Sequence, residues 1–183
     1  MADPTFGRIA VDDIEPEALR RIVRTWREQC GGRTFPQVRK IDPFLVPALV
    51  PNLILFEVVD ETAIFRVIGE KVVVAVGTGL KGLSVQEAFG DTPYGQAIDR
   101  QLQECRTTGV PLYSRHDFQL QGKFHGSPPH SRKAWRIMLP YGEQDNVTRL
   151  LCYQLFSAQV DLPSQQDIDY ETLLPKTVFL ISV

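Results

Sequence analysis

The fold class follows from one stretch, Leu53–Ile68, which reads LILFEVVDETAIFRVI. Its two halves, 53–59 and 63–68, are rich in β-branched and aromatic residues, which favour β-strands. The polar residues between them, 60–62, have a length suited to a hairpin turn. This stretch therefore predicts two neighbouring antiparallel strands at the start of a sheet.

A helical segment is predicted after this hairpin. Ser84-Val85-Gln86-Glu87 has the form of a capping box and predicts a helical turn that ends near Gly90. A longer helix is predicted from Pro93 to Thr108, because proline suits the first position of a helix and Gly109 follows its end. Residues 70–76 fit a strand or a short helix equally well.

Three more strands are predicted after the long helix. Their composition is strand-like, and a polar turn over 141–146 separates the last two. Two strands, a helical crossover and three strands make a five-stranded antiparallel sheet with the crossover on one face, which is an α+β fold. The three strands are predicted at 111–120, 132–140 and 147–157.

An amphipathic helix is predicted before the sheet, within residues 13–32. Its apolar residues recur three and four positions apart, so they form one stripe, whereas arginines occupy the opposite side. We expect the stripe to cover the other face of the sheet, either within the chain or across a homodimer. The stripe residues predicted to make dimer contacts are Leu19, Ile22, Val23 and Trp26.

The chain is thereby divided into four parts. We expect a flexible N-terminus over 1–12, the amphipathic helix over 13–32, the sheet-containing domain over 33–157, and a linker with an apolar tail over 158–183. The apolar tail, 177–183, is predicted to add as a strand to an exposed sheet edge of this chain or of a partner.

Composition argues against several functional classes. A net charge of -2 and a pI near 5.9 disfavour nucleic-acid binding, and we expect the cluster of Arg132, Lys133 and Arg136 to be a solvated face. No apolar run reaches the roughly 18 residues of a membrane span, and no secretory signal is recognisable. The three cysteines have no metal-ligand spacing. We expect a cytoplasmic protein with reduced cysteines, without a metal site and without membrane or nucleic-acid partners.

Several short motifs accompany this order of elements. They are Trp26 near the end of the first helix, Pro36 with Ile41-Asp42-Pro43, Phe65-Arg66-Val67-Ile68-Gly69, Gly77 with Leu80-Lys81-Gly82, and Leu139-Pro140 before the last hairpin. Over roughly residues 18–157, motifs and order together resemble the family of short, stand-alone bacterial PAS-type proteins. The resemblance implies a PAS-like fold and a sensory or protein-interaction module with no catalytic residues to carry over.

A ligand cavity in such a fold lies between the sheet and the crossover. Alternation along the third strand places His116 on the more apolar side, where it either binds a ligand or is a core histidine bonded to a backbone carbonyl. The long helix has no histidine to bind haem, and no flavin-type cysteine motif occurs, so the cofactor is left open. The predicted lining is Phe56, Ile68, Val72, Val76, Phe89, Ile98, Leu102, His116, Phe118 and Met138.

Two functions of different classes remain open. One is a non-enzymatic sensory or interaction module that binds a small ligand and signals through homodimer contacts to an unidentified downstream protein. The alternative is a small-molecule enzyme or carrier on a cone-like α+β fold with His116 as base, aided by Asp117 or Ser114. An enzyme needs at least two titratable groups that converge in the cavity, whereas a sensor does not. Large side chains could also fill the cavity and leave a dimerisation scaffold.

Overall fold

The computed structural model describes residues 6–42, 46–76, 79–120, 130–157 and 175–182. In these residues the chain forms a sheet of seven strands with the order β1-β7-β4-β5-β6-β2-β3. The strands are β1 Gly7–Ala10, β2 Leu53–Val59, β3 Thr62–Ile68, β4 Leu112–Leu120, β5 His130–Glu143, β6 Asn146–Phe156 and β7 Pro175–Ser182. The helices are α1 Glu17–Cys30, α2 Glu70–Val76, α3 Val85–Phe89 and α4 Pro93–Thr108, with short 3-10 turns at Val11–Asp13, Val38–Lys40 and Pro47–Asn52.

The first predicted hairpin is confirmed, with a shorter turn than expected. β2 and β3 pair antiparallel, and Thr62 already pairs with Val59. Only Asp60 and Glu61 form the turn, and both have positive φ, at 46° and 66°. Two left-handed residues match the right-handed twist of the flanking strands, which is why a two-residue connection closes this hairpin.

The predicted crossover helices are confirmed where their capping signals lie. The Ser84 hydroxyl accepts from the backbone N–H of Glu87, whose carboxylate accepts from the Ser84 N–H in return. In α4 the Thr92 hydroxyl accepts from Gly95, and Gly109 ends the helix at φ 65°. Residues 70–76, which the composition left ambiguous, are the helix α2.

The last hairpin has a tighter turn than the predicted 141–146. β5 continues to Glu143 and β6 begins at Asn146, so Gln144 and Asp145 alone form the turn. The strand passes through Gly142 by a register shift next to Tyr141. A Cβ at Gly142 would stand 1.9 Å from the carbonyl oxygen of Asn146, so glycine here permits close pairing of two strands.

The five predicted strands have the order β3-β2-β6-β5-β4 and are antiparallel throughout, but the sheet does not stop there. β7 pairs antiparallel with β4, and β1 pairs parallel with β7. The prediction of a five-stranded, purely antiparallel sheet is therefore wrong in strand number and in direction at one edge.

Both chain ends contribute to this extra edge. The apolar tail was predicted to add to a sheet edge, and β7 confirms this within the chain. Residues 7–12 were expected to be flexible, but Gly7–Ala10 form β1 because β7 offers them a strand partner. Most of the predicted linker, 158–174, and residues 1–5 lie outside the described residues.

The predicted amphipathic helix, α1, lies on the opposite face of the sheet from the crossover. Its Gln29 and the nearby Glu15 accept hydrogen bonds from Tyr141 and Trp135 of β5. Met138 lies three residues from both Trp135 and Tyr141 on β5, so its side chain points to the opposite face of the sheet, toward the crossover helix α4. We call the side toward α2–α4 the inner face and the side toward α1 the outer face.

Candidate functional site

A small cavity lies between the inner face and the crossover. Its volume is about 20 Å³, enough for about one water molecule. Strands β2, β3, β5 and β6 and helices α2, α3 and α4 all contribute to its wall, so it contacts every element of the crossover. The lining residues are Ile54, Phe56, Phe65, Val72, Phe89, Tyr94, Ile98, Arg136, Met138, Cys152 and Gln154.

Aromatic rings fill most of this space. The ring centroids of Phe56 and Phe65 lie 4.5 Å apart, and those of Phe65 and Phe89 lie 6.4 Å apart. Tyr94 extends the row, with its centroid 5.2 Å from that of Phe89 in an edge-on arrangement. These contacts leave little free volume, so a ligand larger than water must displace part of the lining.

The structure brings half of the predicted lining residues together. Those present in the wall are Phe56, Val72, Phe89, Ile98 and Met138, and their role in ligand binding remains a prediction. Ile68, Leu102 and His116 are not among the lining residues of this cavity. The side chains of Val76 and Phe118 lie outside the described residues.

Arg136 is the main feature of the site that the sequence analysis missed. It was expected on a solvated face, but its side chain is only 3% exposed and lies in the cavity wall. Strand register places Ser114 and Gln154 directly beside it on β4 and β6. The three residues form a polar row across the inner face, and all three are buried. Arg136 and Met138 are two residues apart on β5, so their side chains point to the same face of the sheet. This alternation could have placed Arg136 on the inner face.

The guanidinium of Arg136 is held on one side only. Its Nε and Nη2 donate to Oε1 of Gln154 at 3.1 and 2.7 Å, and Nη2 also donates to the Tyr94 hydroxyl at 3.0 Å. Nη1 is buried without a hydrogen-bond partner. Guanidinium groups stay charged in proteins, and a buried charge without a counter-ion is unfavourable by several kcal/mol. The guanidinium carbon also lies 6.0 Å from the centroid of the Tyr94 ring, so an aromatic face, and no counter-ion among the described residues, accompanies this charge.

Several other arginines in the described residues have an acidic partner, whereas Arg136 has none. Arg149 and Arg66 both pair with Glu57, and Arg106 pairs with Glu61. No ion pair of the described residues includes Arg136. Its neighbours are a neutral amide and a phenol, which accept hydrogen bonds without supplying a negative charge.

His116 lies on the inner face, as predicted, and is 1% exposed. Its Nε2 is 2.9 Å from the Ser114 hydroxyl, so the side chain is part of a buried polar contact. On β4, Ser114 is the residue that pairs with Arg136, and His116 lies two residues further along the strand. His116 is therefore displaced from the cavity wall. The hydroxyl and imidazole are neighbours, but in the described residues they do not line this cavity.

Two buried cysteines on the inner side have no acid–base role near neutral pH. Burial raises the pKa of the Cys152 thiol to about 12, and burial raises that of Cys105 well above its ordinary value. Cys105 donates weakly to the Met138 carbonyl oxygen at 3.7 Å. Both thiols therefore stay protonated and act as small packing groups.

The residues predicted to make dimer contacts are buried within their own chain. Leu19, Ile22, Val23 and Trp26 are each at most 2% exposed. The Trp26 indole N–H donates to the Pro140 carbonyl oxygen at 2.9 Å, which fixes α1 to β5. A dimer formed through these four side chains would require α1 to leave its own sheet, so their predicted role in dimer contacts remains untested.

Two further features are absent from the described residues. No group of three or more His, Cys, Asp or Glu side chains in them is arranged to hold a metal ion. Among the same residues, no helix combines the length and the apolar composition needed to cross a membrane.

Comparison with known proteins agrees with the fold. A family model described as PAS domain matches residues 14–123, which is more than half of the chain. The match begins before α1, contains β2, β3 and the crossover, and ends just after β4. No curated protein and no solved structure matches the sequence. The chain therefore belongs to the PAS domain family.

Proposed function

We propose that the protein is a sensory or protein-interaction module without enzymatic activity, which holds a small ligand in the inner-face cavity and signals through homodimer contacts. The observation that carries the proposal is the composition of the cavity wall. Four strands and all three crossover helices contribute to it, so a change in its contents is transmitted directly to the crossover.

The chemistry of the wall favours binding over catalysis. Within the described residues, its titratable side chains are Tyr94, Arg136 and Cys152. Burial raises the pKa of Cys152 to about 12, so the thiol is not a base near neutral pH. A guanidinium can hold an anion but does not exchange protons readily. This set can orient a ligand, whereas general acid–base catalysis needs a group whose pKa lies near the working pH.

The small volume of the cavity favours a response to ligand. At about 20 Å³, the cavity holds one water molecule, so a larger ligand must displace neighbouring side chains. The strands resist displacement because each of β2, β5 and β6 is hydrogen-bonded on both sides. α2 and α3 are short and are the elements that yield most readily. Ligand binding is therefore coupled to the position of the crossover.

The homodimer contact is proposed on the part of the outer face that β2 and β3 form. Val67 and Val59 lie on this face and are 45% and 42% exposed. Leu55, which pairs with Val67, is partly buried beside it. Since the α1 stripe is already covered in the chain, this surface is where apolar side chains are available to a second copy.

Sedimentation of wild-type protein and two charged variants tests the dimer. We expect the wild-type chain to be a dimer and Val67→Glu to raise the dissociation constant by about tenfold or more, because a buried carboxylate without a partner is unfavourable. Val74→Glu is the matched control, since Val74 is 40% exposed but lies on α2. A monomeric wild-type chain, or equal association of all three proteins, would overturn the dimer part of the proposal.

A further inference from the structure

Positive charge is concentrated in one short stretch of the chain, residues 20–40. This stretch holds seven basic residues and one acidic residue, a net charge of +6. The rest of the chain holds thirteen basic and twenty-one acidic residues, a net charge of -8, although the whole protein has a net charge of only -2. Six of the seven basic side chains are exposed, and we call them the basic surface: Arg21, Arg24, Arg27, Arg33, Arg39 and Lys40.

On α1 the basic surface is a row along the side opposite the sheet. Arg21, Arg24 and Arg27 are three residues apart, so their side chains lie next to one another along the helix. All three are exposed, whereas the Trp26 side chain is buried against the sheet. The row from Arg21 to Arg27 covers about 9 Å of the helix axis.

The basic surface continues around the C-terminal end of α1. The Lys40 ammonium donates to the carbonyl oxygen of Gln29 at 2.7 Å. The Arg39 guanidinium donates to the Gln37 side chain at 3.0 Å, and Gln37 lines a surface groove together with Arg33. The partial negative charge of a helix C-terminus explains cations in the last turn, but not those in the middle of α1 or beyond its end.

Most of these cations have no acidic partner. In the described residues, Arg24 pairs with Asp12 at 2.5 Å, and no other side chain of the basic surface forms an ion pair. Glu28, the one acid of residues 20–40, is exposed. Glu143 and Asp145 form the opposite wall of the groove. These three acids pair with none of the six cations in the described part of the chain, so five cations are open to an external negative charge.

We infer that the basic surface docks an acidic segment of a partner protein. Several carboxylates on one segment can each meet a cation of the surface, and such charge complementarity speeds association and selects the partner. The inference goes beyond the proposed function, because it gives the module a contact for a downstream protein. The surface is separate from the cavity and from the dimer contact proposed on β2 and β3.

The distribution of charge favours a short acidic segment over nucleic acid. Duplex DNA carries about one negative charge for each 1.7 Å of its length, so it would extend from the basic surface over the acidic remainder of the chain. An anionic membrane is disfavoured as well, because a helix that lies on a membrane also presents apolar side chains to it. In the described residues the exposed large apolar side chains are Val59, Val67 and Val74, and none of them lies on α1.

The experiment compares an acidic peptide with a neutral peptide of the same length. Full-length, isotope-labelled protein at low ionic strength is titrated with hexaglutamate, and separately with hexaglutamine, and the backbone amide shifts are followed by NMR. We expect hexaglutamate to bind about tenfold or more tightly, with the largest shifts in α1 and residues 33–40. Added salt should weaken this binding, because it screens exposed charges.

Two double variants with the same net charge locate the surface. Arg27→Gln with Arg33→Gln should lower the affinity for hexaglutamate about fivefold or more, because two cations are removed from the surface. Lys71→Gln with Lys81→Gln is the matched control, which removes two exposed cations near α2 and should change the affinity by less than about twofold. All four side chains are exposed, so we expect both variants to fold.

Three outcomes would overturn the inference. The first is equal affinity for the two peptides. The second is an equal loss of affinity in both double variants, because binding would then follow net charge rather than the basic surface. The third is a short DNA duplex that binds more tightly than hexaglutamate and loses affinity in Arg27→Gln with Arg33→Gln, which would assign the surface to nucleic acid instead.

Discussion

Replacing Trp26 with phenylalanine measures how strongly α1 is built into the core. The indole is 1% exposed, and its N–H donates to the carbonyl oxygen of Pro140 at 2.9 Å. Phenylalanine retains an aromatic ring in the same position but lacks the N–H and two ring carbons. The substitution therefore removes one buried hydrogen bond and a defined amount of apolar contact between α1 and the sheet.

The expected loss follows from these two contributions. Two buried carbons are worth about 1.6 kcal/mol, at about 0.8 kcal/mol for each buried carbon group. The hydrogen bond adds about 1 kcal/mol net. We therefore expect Trp26→Phe to lower the free energy of unfolding by about 2.5 kcal/mol.

Urea unfolding followed by circular dichroism measures this loss. Trp135→Phe is a matched control, because Trp135 is the other tryptophan of the chain, is only partly buried, and donates its indole N–H to exposed Glu15 at 2.8 Å. We expect the control to lose about 0.5 to 1 kcal/mol. The difference between the variants should not depend on protein concentration, since both contacts lie within one chain. Equal losses would refute the packing of α1 described above.

Two other predictions concern the sheet edge and a buried phenol. A chain that ends at residue 170 lacks β7 and leaves β4 as an open edge, so we expect aggregation or a larger oligomer in size-exclusion chromatography, and an unchanged elution volume would argue against this role of β7. Tyr153 is buried, its hydroxyl has no hydrogen-bond partner, and burial raises its pKa from 10.0 to about 12. Between these values the folded state keeps a proton that the unfolded state loses, so stability falls as pH rises from about 10 to about 12. Tyr153→Phe should lose less stability than the wild-type protein between about pH 8 and about pH 11, as measured from urea midpoints. An equal loss in both proteins would contradict this role of Tyr153.

Elements with local signals could be predicted closely from the sequence. The bounds of α4 follow from Pro93 and Gly109, and those of α3 from the reciprocal bonds of Ser84 and Glu87. β2 was predicted with its observed bounds because a dense β-branched and aromatic run ends at a polar turn. In each case the residues that determine the element lie within it or beside it.

The extra sheet edge could be predicted only in part because its pairing is non-local. Gly7 pairs with Phe179, so β1 depends on a segment at the other end of the chain. Four residues of unremarkable composition contain no sign of such a partner. The tail carried its own signal, since the run from Val178 to Ile181 is apolar and needs a partner strand.

The candidate site was predicted on its apolar side and missed on its charged side. Phe56 and Met138 were both predicted to line the cavity, and apolar residues on the inner face need no partner of a particular kind. Arg136 was assigned to solvent because Lys133 and Arg132 precede it, although strand parity separates its side chain from that of Lys133. Its true environment depends on the register that aligns Gln154 with it, which is set by the whole sheet.

Native mass spectrometry of protein purified without added cofactor tests most directly whether this PAS-domain protein holds a ligand. Comparison of native and denatured masses, alongside the absorption spectrum, gives the oligomeric state and any retained small molecule. We expect a homodimer that carries one small molecule per chain, released on denaturation. A monomer, or a chain whose native mass shows no bound molecule, would contradict the account.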